Sequence, residues 1–229
     1  MRFDAVLFDL FGTIIPRPER SRHKKMMRDL AEIAEVDSDL FADVWISTNR
    51  ERVSRYGTDT DRMMKSVLDR FDLVLDQASV QKMTKVWYDM TTSHFYFFDD
   101  VIPAFEDLKR DGMKIGLLTN CGPIVPELIE GSEIRHLLDA AVYSTIEGFV
   151  KPDPEIYLSA CGRLATEPSQ TLFIGDGDSD ELRGAYHSGL TAVKVDRGSM
   201  AGNYRIAEDV TWDPTISDFE GLIKFVQAL

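Results

Sequence analysis

Residues 4–15 read DAVLFDLFGTII: an apolar run, one aspartate at Asp9, then Leu-Phe-Gly-Thr. A short apolar run closed by turn residues has the form of a buried strand, which puts Asp9 at the strand's carboxyl end. Four later stretches repeat the form: MKIGLLTN (113–120), AAVYS (140–144), TLFIGD (171–176) and TAVKV (191–195). Each ends near Gly, Asn, Asp or Ser, and amphipathic segments separate them. VIPAFEDLKRDG (101–112) has helical period and a glycine stop, so it predicts the helix leading into the second strand. Near-continuous apolar strands joined by helices imply a parallel sheet covered on both faces, an α/β doubly wound core.

Residues 16–98 break this rhythm. Met26, Met27, Leu30, Ile33 and Ala34 follow helical spacing, as do Met63, Met64, Val67, Leu68 and Phe71. Pro16 and Pro18 mark the entrance, and Phe98-Asp99-Asp100 lies near the exit. The expected organisation is a core of residues 1–15 and 99–229 with a helical cap, 16–98, inserted after the first strand. Phe41 and Trp45, one helical turn apart, read as cap core. The basic run Arg17, Arg20, Arg22, His23, Lys24 and Lys25 offers charge to an anionic substrate as the cap closes, but such a run is more often the solvated face of a helix.

The 229 residues, 44% hydrophobic and 28% charged, have the composition of a soluble globular protein. No apolar stretch approaches the roughly 20 residues that span a bilayer, and the N-terminus lacks the form of a signal peptide. A net charge of −13 excludes a phosphate-backbone binder, which needs a basic face. Cys121 and Cys161 lack CxxC spacing and suggest neither a zinc site nor a disulfide framework. The expectation is a cytoplasmic monomer or homodimer with no nucleic-acid or membrane partner. No GxSxG elbow, HExxH helix or P-loop occurs.

In open parallel sheets, ligands bind beyond the carboxyl ends of the strands. Four such ends carry polar groups: Asp9, Thr119-Asn120, the loop before Lys151, and Asp176. A carboxylate can act as covalent nucleophile. If it attacks phosphorus, the phosphoryl oxygens need donors and cations, because that chemistry is mostly positioning and electrostatics. Thr119 offers a hydroxyl, Asn120 an amide and Lys151 a charge. Asp9 and Asp176 offer oxygen ligands for Mg²⁺. In GDGDSDE (175–181), the EF-hand pattern fails because its sixth position is Glu181 and its twelfth His187. Asp178 and Glu181 have capping-box spacing, which leaves Asp176 and Asp180 as the metal candidates.

FDLFGT (8–13), LLTN (117–120), VKPDPEIY (150–157) and FIGDGDSDELRGA (173–185) resemble, in order, the four motifs of the haloacid dehalogenase (HAD) superfamily. The resemblance implies a Rossmann-like core with a C1-type cap and Asp9 as nucleophile. It further implies that Thr119 and Lys151 bind phosphate, and that Mg²⁺ is held by Asp9, Asp176, Asp180 and the backbone carbonyl of Phe11. The substrate is then a small phosphorylated metabolite.

Phe11 is the departure from the pattern. The family's phosphatases usually carry a second aspartate there as general acid–base, whereas its dehalogenases usually carry Tyr. Three readings follow. The first is a Mg²⁺-dependent phosphatase or phosphotransferase acting through an aspartyl-phosphate. The second is a metal-independent 2-haloacid dehalogenase, for which Arg50, Arg52 and Arg55 are candidate halide ligands. The third is a non-catalytic binding protein on the same scaffold. The metal-type Asp176 favours the first.

Overall fold

The computed structural model describes residues 3–198 and 211–228. Its core is a six-stranded, all-parallel sheet ordered β3-β2-β1-β4-β5-β6. The strands are β1 Ala5–Phe8, β2 Lys114–Thr119, β3 Ala140–Tyr143, β4 Thr171–Gly175, β5 Thr191–Val195 and β6 Thr215–Ile216. The five expected strands are present within a residue or two. The edge strand β6 is an addition, and two residues are too short to carry a periodic signal.

The chain leaves β1 towards β2 and β3, then returns across β1 to β4 on its other side. The β1/β4 boundary is therefore the point where strand order reverses, where an open α/β sheet leaves a crevice. Register pairs Phe8 with Ile174, and Asp9 N–H donates to the Ile174 carbonyl at 2.9 Å, so the two strands end together. Residues 9 and 176 thus arrive at the same edge of the sheet.

β1 and β4 are buried along their whole lengths, as a central parallel strand requires. On one face Phe8 packs against Phe105 and Phe219 at centroid distances of 4.7 and 5.2 Å. Those rings come from helices Val101–Arg110 and Phe219–Gln227. The opposite face packs Leu7 and Phe173 with Tyr157 of the helix Pro154–Leu164.

Between β1 and the helix Val101–Arg110 lie helices α1 Arg20–Ala34, α2 Ser38–Ser47, α3 Asn49–Arg52, α4 Thr60–Leu68 and α5 Gln77–Thr92. Asp37, Asp59 and Asp76 cap α2, α4 and α5 by accepting backbone N–H groups within 3.0 Å. Met26, Met63, Val67, Met83 and Phe41 bury their side chains among these helices. The two chain crossings into them run side by side, with Phe98 N–H donating to the Ile14 carbonyl at 3.1 Å. Arg197 braces that junction, donating to the Thr13 carbonyl and to Asp100 and lying over the rings of Phe98 and Phe219. Towards the sheet, Ser144 donates to the Val53 carbonyl, Thr145 to the Gly57 carbonyl, and Arg50 to Asp153. These contacts hold the helices closed over the strand ends. Among the described residues, no helix is long and apolar enough to cross a membrane.

Candidate active site

Asp9 sits one residue beyond β1, and its side chain is buried. Lys151 Nζ contacts its Oδ1, and Thr13 Oγ1 donates to its Oδ2 at 3.2 Å. Thr13 belongs to the same turn, where Gly12 has φ +84°, a value L side chains rarely adopt. A Cβ at Gly12 would also lie 1.9 Å from Asp176 Oδ2, so glycine is what lets the first and last motifs touch.

Asp176 follows β4, and Glu181 opens the next helix, Glu181–His187. Oxygens of Asp9, Asp176 and Glu181 lie within 4.8 Å of one another, the one such acidic group among the described residues. Glu181 is wholly buried. Its Oε2 accepts from Lys151 at 2.5 Å and its Oε1 accepts from the Gly177 N–H at 3.0 Å. A Cβ at Gly175 would come 2.2 Å from Glu181 Oε1, so that glycine clears the space the carboxylate fills.

The expected ligand Asp180 stands apart from this group. Its side chain is 47% exposed and pairs with Arg183 at 3.6 Å. Ser179 and Asp180 both have left-handed backbone, φ 57° and 55°, and this double turn carries Asp180 to solvent and Glu181 into the cluster. The capping box is corrected for the same reason. The helix begins at Glu181, Asp178 accepts from its neighbour Ser179 N–H at 2.7 Å, and Glu181 reaches back to Gly177.

Burial and neighbouring negative charge favour the protonated form of a carboxyl group. Burial pushes Asp176 up to about 6, with the Asp9 charge adding and Arg17 opposing. Burial, followed by Asp9, raises Glu181 well above the usual carboxylate range. Burial pulls Lys151 down, but Asp9 and Glu181 outweigh it and hold the ammonium above its ordinary value. This acidic pocket therefore favours cations.

Thr119, at the end of β2, is fully buried, and its Oγ1 has no hydrogen-bond partner, a hydroxyl left over for an anion. Asn120 is partly engaged elsewhere. Its Nδ2 donates to the Lys151 carbonyl at 3.0 Å and its Oδ1 accepts the Lys151 N–H at 2.8 Å. Both ends of the amide clamp the lysine's backbone, so Asn120 positions Lys151, and the second N–H of its Nδ2 is left over on a residue that lines the chamber.

Above the strand ends lies a chamber of about 190 Å³, walled by Phe11, Trp45 and Trp87 and by the polar side chains of Arg17, Arg52 and His94. Phe11 is half-buried there and packs against the hydrophobic cluster. Of the three candidate arginines, Arg52 reaches the chamber: its guanidinium lies 3.8 Å from the centre of the Trp45 ring and donates to the Trp45 carbonyl. Arg50 pairs with Asp153, and Arg55 with Glu51. Trp45 stacks on Phe41, which is buried among the helices, and also lines the chamber.

Within the basic run, Arg17 departs from the solvated-face expectation: its side chain is only 9% exposed and grips Asp176 through Nη2, at 2.6 Å from Oδ1 and 2.5 Å from Oδ2. A second chamber residue, His94, carries no signal in the sequence. His94 is buried, with Nδ1 3.1 Å from Ser93 Oγ and Nε2 without a partner. Burial first, then the charge of Arg22, lowers its pKa to about 4 from an ordinary 6.5, against a small opposing effect of Glu19. The ring is thus neutral at pH 7 and does not supply the acid absent at Phe11. Because the folded state holds the proton more weakly than the unfolded chain, this stabilisation is complete above pH 6.5. It is lost as pH falls towards 4. His94→Gln should flatten the decline in melting temperature between pH 7 and 4.5, measured against wild type in the same buffers. Cys121 also lines the chamber, but burial pushes its thiol up, so it is protonated and unreactive.

A family model described as haloacid dehalogenase-like hydrolase matches residues 3–187. The chain is 27% identical to a glyceraldehyde 3-phosphate phosphatase of Methanopyrus kandleri, over 94% of this chain and 91% of that protein. It is 24% identical to (S)-2-haloacid dehalogenase 4A of Burkholderia cepacia, over 89% and 87%. Among solved structures, a HAD phosphatase from Thermococcus onnurineus superimposes with a TM-score of 0.65 at 23% identity, over 98% of both chains. The fold is shared, and the four motifs meet at one sheet edge around a buried aspartate. This chain belongs to the haloacid dehalogenase-like hydrolases.

Proposed function

We propose that this hydrolase is a Mg²⁺-dependent phosphatase, or phosphotransferase, acting on a small phosphorylated metabolite through an aspartyl-phosphate at Asp9. The observation that carries the reading is the trio Asp9, Asp176 and Glu181, two buried and one half-buried, whose oxygens converge within 4.8 Å. A dehalogenase needs no such acidic nest, and its mutual repulsion is costly without a cation. The donor set fits Mg²⁺: hard, anionic oxygens on a rigid sheet edge, with the backbone carbonyl of Phe11 nearby in the chain. Mg²⁺ bound there supplies charge neutralisation for the phosphoryl oxygens.

The remaining roles belong to the chain. Asp9 attacks phosphorus through one carboxylate oxygen while Thr13 and Lys151 fix its orientation. The unpartnered Thr119 hydroxyl donates to a phosphoryl oxygen. Lys151, held by Asn120, Asp9 and Glu181, sets the charge balance. Residues 16–98 act as the cap that closes the chamber and selects the body of the substrate, as the similarity to a phosphatase of a small phosphorylated sugar also suggests.

One observation favours the dehalogenase as second reading: aromatic Phe11 replaces the proton-transfer group, and a departing halide needs none. Phosphate release from p-nitrophenyl phosphate and a panel of phosphorylated metabolites, with Mg²⁺ or with excess EDTA, tests both. Activity should require Mg²⁺. Full activity in EDTA, with chloride release from 2-chloropropionate, overturns the phosphatase.

The ligand set has its own test. By calorimetry, Glu181→Gln should weaken Mg²⁺ binding about tenfold or more, since ligand charge tunes affinity. Asp180→Asn should leave it nearly unchanged. The reverse ranking would restore Asp180 as the ligand.

A further inference from the structure

Arg17 is a chamber cation that the mechanism above does not use, and it is paired with a carboxylate of the acidic trio. Its guanidinium occupies both oxygens of Asp176, the carboxylate a divalent cation must share. It also lies 3.2 Å from Asp178 and lines the chamber. Its Nε is buried with no acceptor, so the pose on Asp176 leaves one donor unspent. Gly12, whose Cβ would lie 2.8 Å from that Nε, keeps the passage open on this side.

The charges give the reason. Around the nucleophile, Asp9, Asp176 and Glu181 outnumber Lys151 and Arg17, and Asp178 adds a partly exposed fourth acid. A phosphate dianion entering this pocket is repelled. A divalent cation cancels that excess and competes directly with Arg17 for Asp176. Once displaced, a buried guanidinium needs another anion, and a phosphoryl group in the adjoining chamber offers the pair of oxygens that its planar fork fits bidentately.

We propose that Arg17 is a substrate-phosphate ligand parked on Asp176, released into the chamber when the divalent cation binds. Metal and substrate binding are thereby coupled: the cation frees the group that the substrate needs. This rests on the phosphatase reading.

Calorimetry with Mg²⁺ alone, on wild type and Arg17→Gln, tests the parking. Removing the competitor should tighten Mg²⁺ binding by about 5- to 150-fold, the usual range for coupled sites. Without Mg²⁺ the variant should melt lower than wild type, because Asp176 is uncovered, and saturating Mg²⁺ should close most of that gap. Kinetics with p-nitrophenyl phosphate at saturating Mg²⁺ test the release: KM should rise about tenfold or more in Arg17→Gln, with kcat less affected, and Arg17→Lys should recover part of it. Unchanged or weaker Mg²⁺ affinity, or a melting deficit equal with and without Mg²⁺, overturns the parking. Tighter Mg²⁺ with unchanged KM overturns the role as substrate ligand. Failure of the phosphatase reading looks different, since wild type itself would then release no phosphate.

Discussion

Asp9→Asn should abolish turnover, by at least ~10⁴-fold, the scale on which loss of a covalent nucleophile is felt. The substitution keeps size and shape, so the Thr13 and Lys151 contacts retain oxygen or nitrogen partners in the same turn. Lys151 keeps its second carboxylate, Glu181. The change also removes one of three mutually repelling acids, and Asp9 is among the causes that raise the proton affinity of both Asp176 and Glu181. The metal-free variant should therefore melt at or above the wild-type temperature while losing its activity, as expected where an active site is held together against its own repulsion. Thermal melts in EDTA and phosphate-release assays with Mg²⁺ check the two halves. Substantial residual hydrolysis would rule out covalent catalysis through Asp9.

Phe11→Asp should act in the opposite direction. Hydrolysis through an aspartyl-phosphate has two proton problems: the departing alkoxide needs a proton, and the attacking water must lose one. Phe11 serves neither, and the buried His94 is neutral at pH 7. Alkyl phosphates should turn over slowly in the wild type, while aryl and acyl phosphates, with stable leaving anions, fare better in the first step. The phosphoenzyme should accumulate, and p-nitrophenyl phosphate should show a pre-steady-state burst. A carboxylate at position 11 faces the same chamber and should raise alkyl phosphate hydrolysis by up to the ~10²–10⁴-fold that general acid–base catalysis supplies. The burst should shrink with it. A wild type that hydrolyses alkyl phosphates at ordinary phosphatase rates with no burst would mean that another group moves the proton.

The sheet and the strand-end motifs were legible because their causes are local. An apolar run closed by a turn residue makes a buried parallel strand wherever it lies, so Asp9, Thr119 and Asp176 were placed at strand ends before any strand order was known. Asn120 and Lys151 were also recognised, but not their mutual clamp, which joins residues 31 positions apart. In GDGDSDE the sequence points to Asp180 as the further acid and gives Glu181 to a helix cap, whereas the fold puts Glu181 in the cluster. Two successive left-handed residues decide between them, and neither Ser179 nor Asp180 announces that conformation in its side chain.

The order of strands, and the crevice it opens between β1 and β4, exists only when the chain is folded, because it depends on a crossover that no local pattern encodes. The same holds for the sign of a residue's role. In the sequence, Arg17 is one basic residue in a basic run, and Glu181 is half of a capping signature. In the structure, one neutralises Asp176 and the other completes an acidic trio. The sequence by itself determined which side chains reach the edge of the sheet, since strand period and turn chemistry act over a few residues. Tertiary structure alone decided which charges share the low-dielectric pocket there, because electrostatic partnership depends on distance in space and on the exclusion of water.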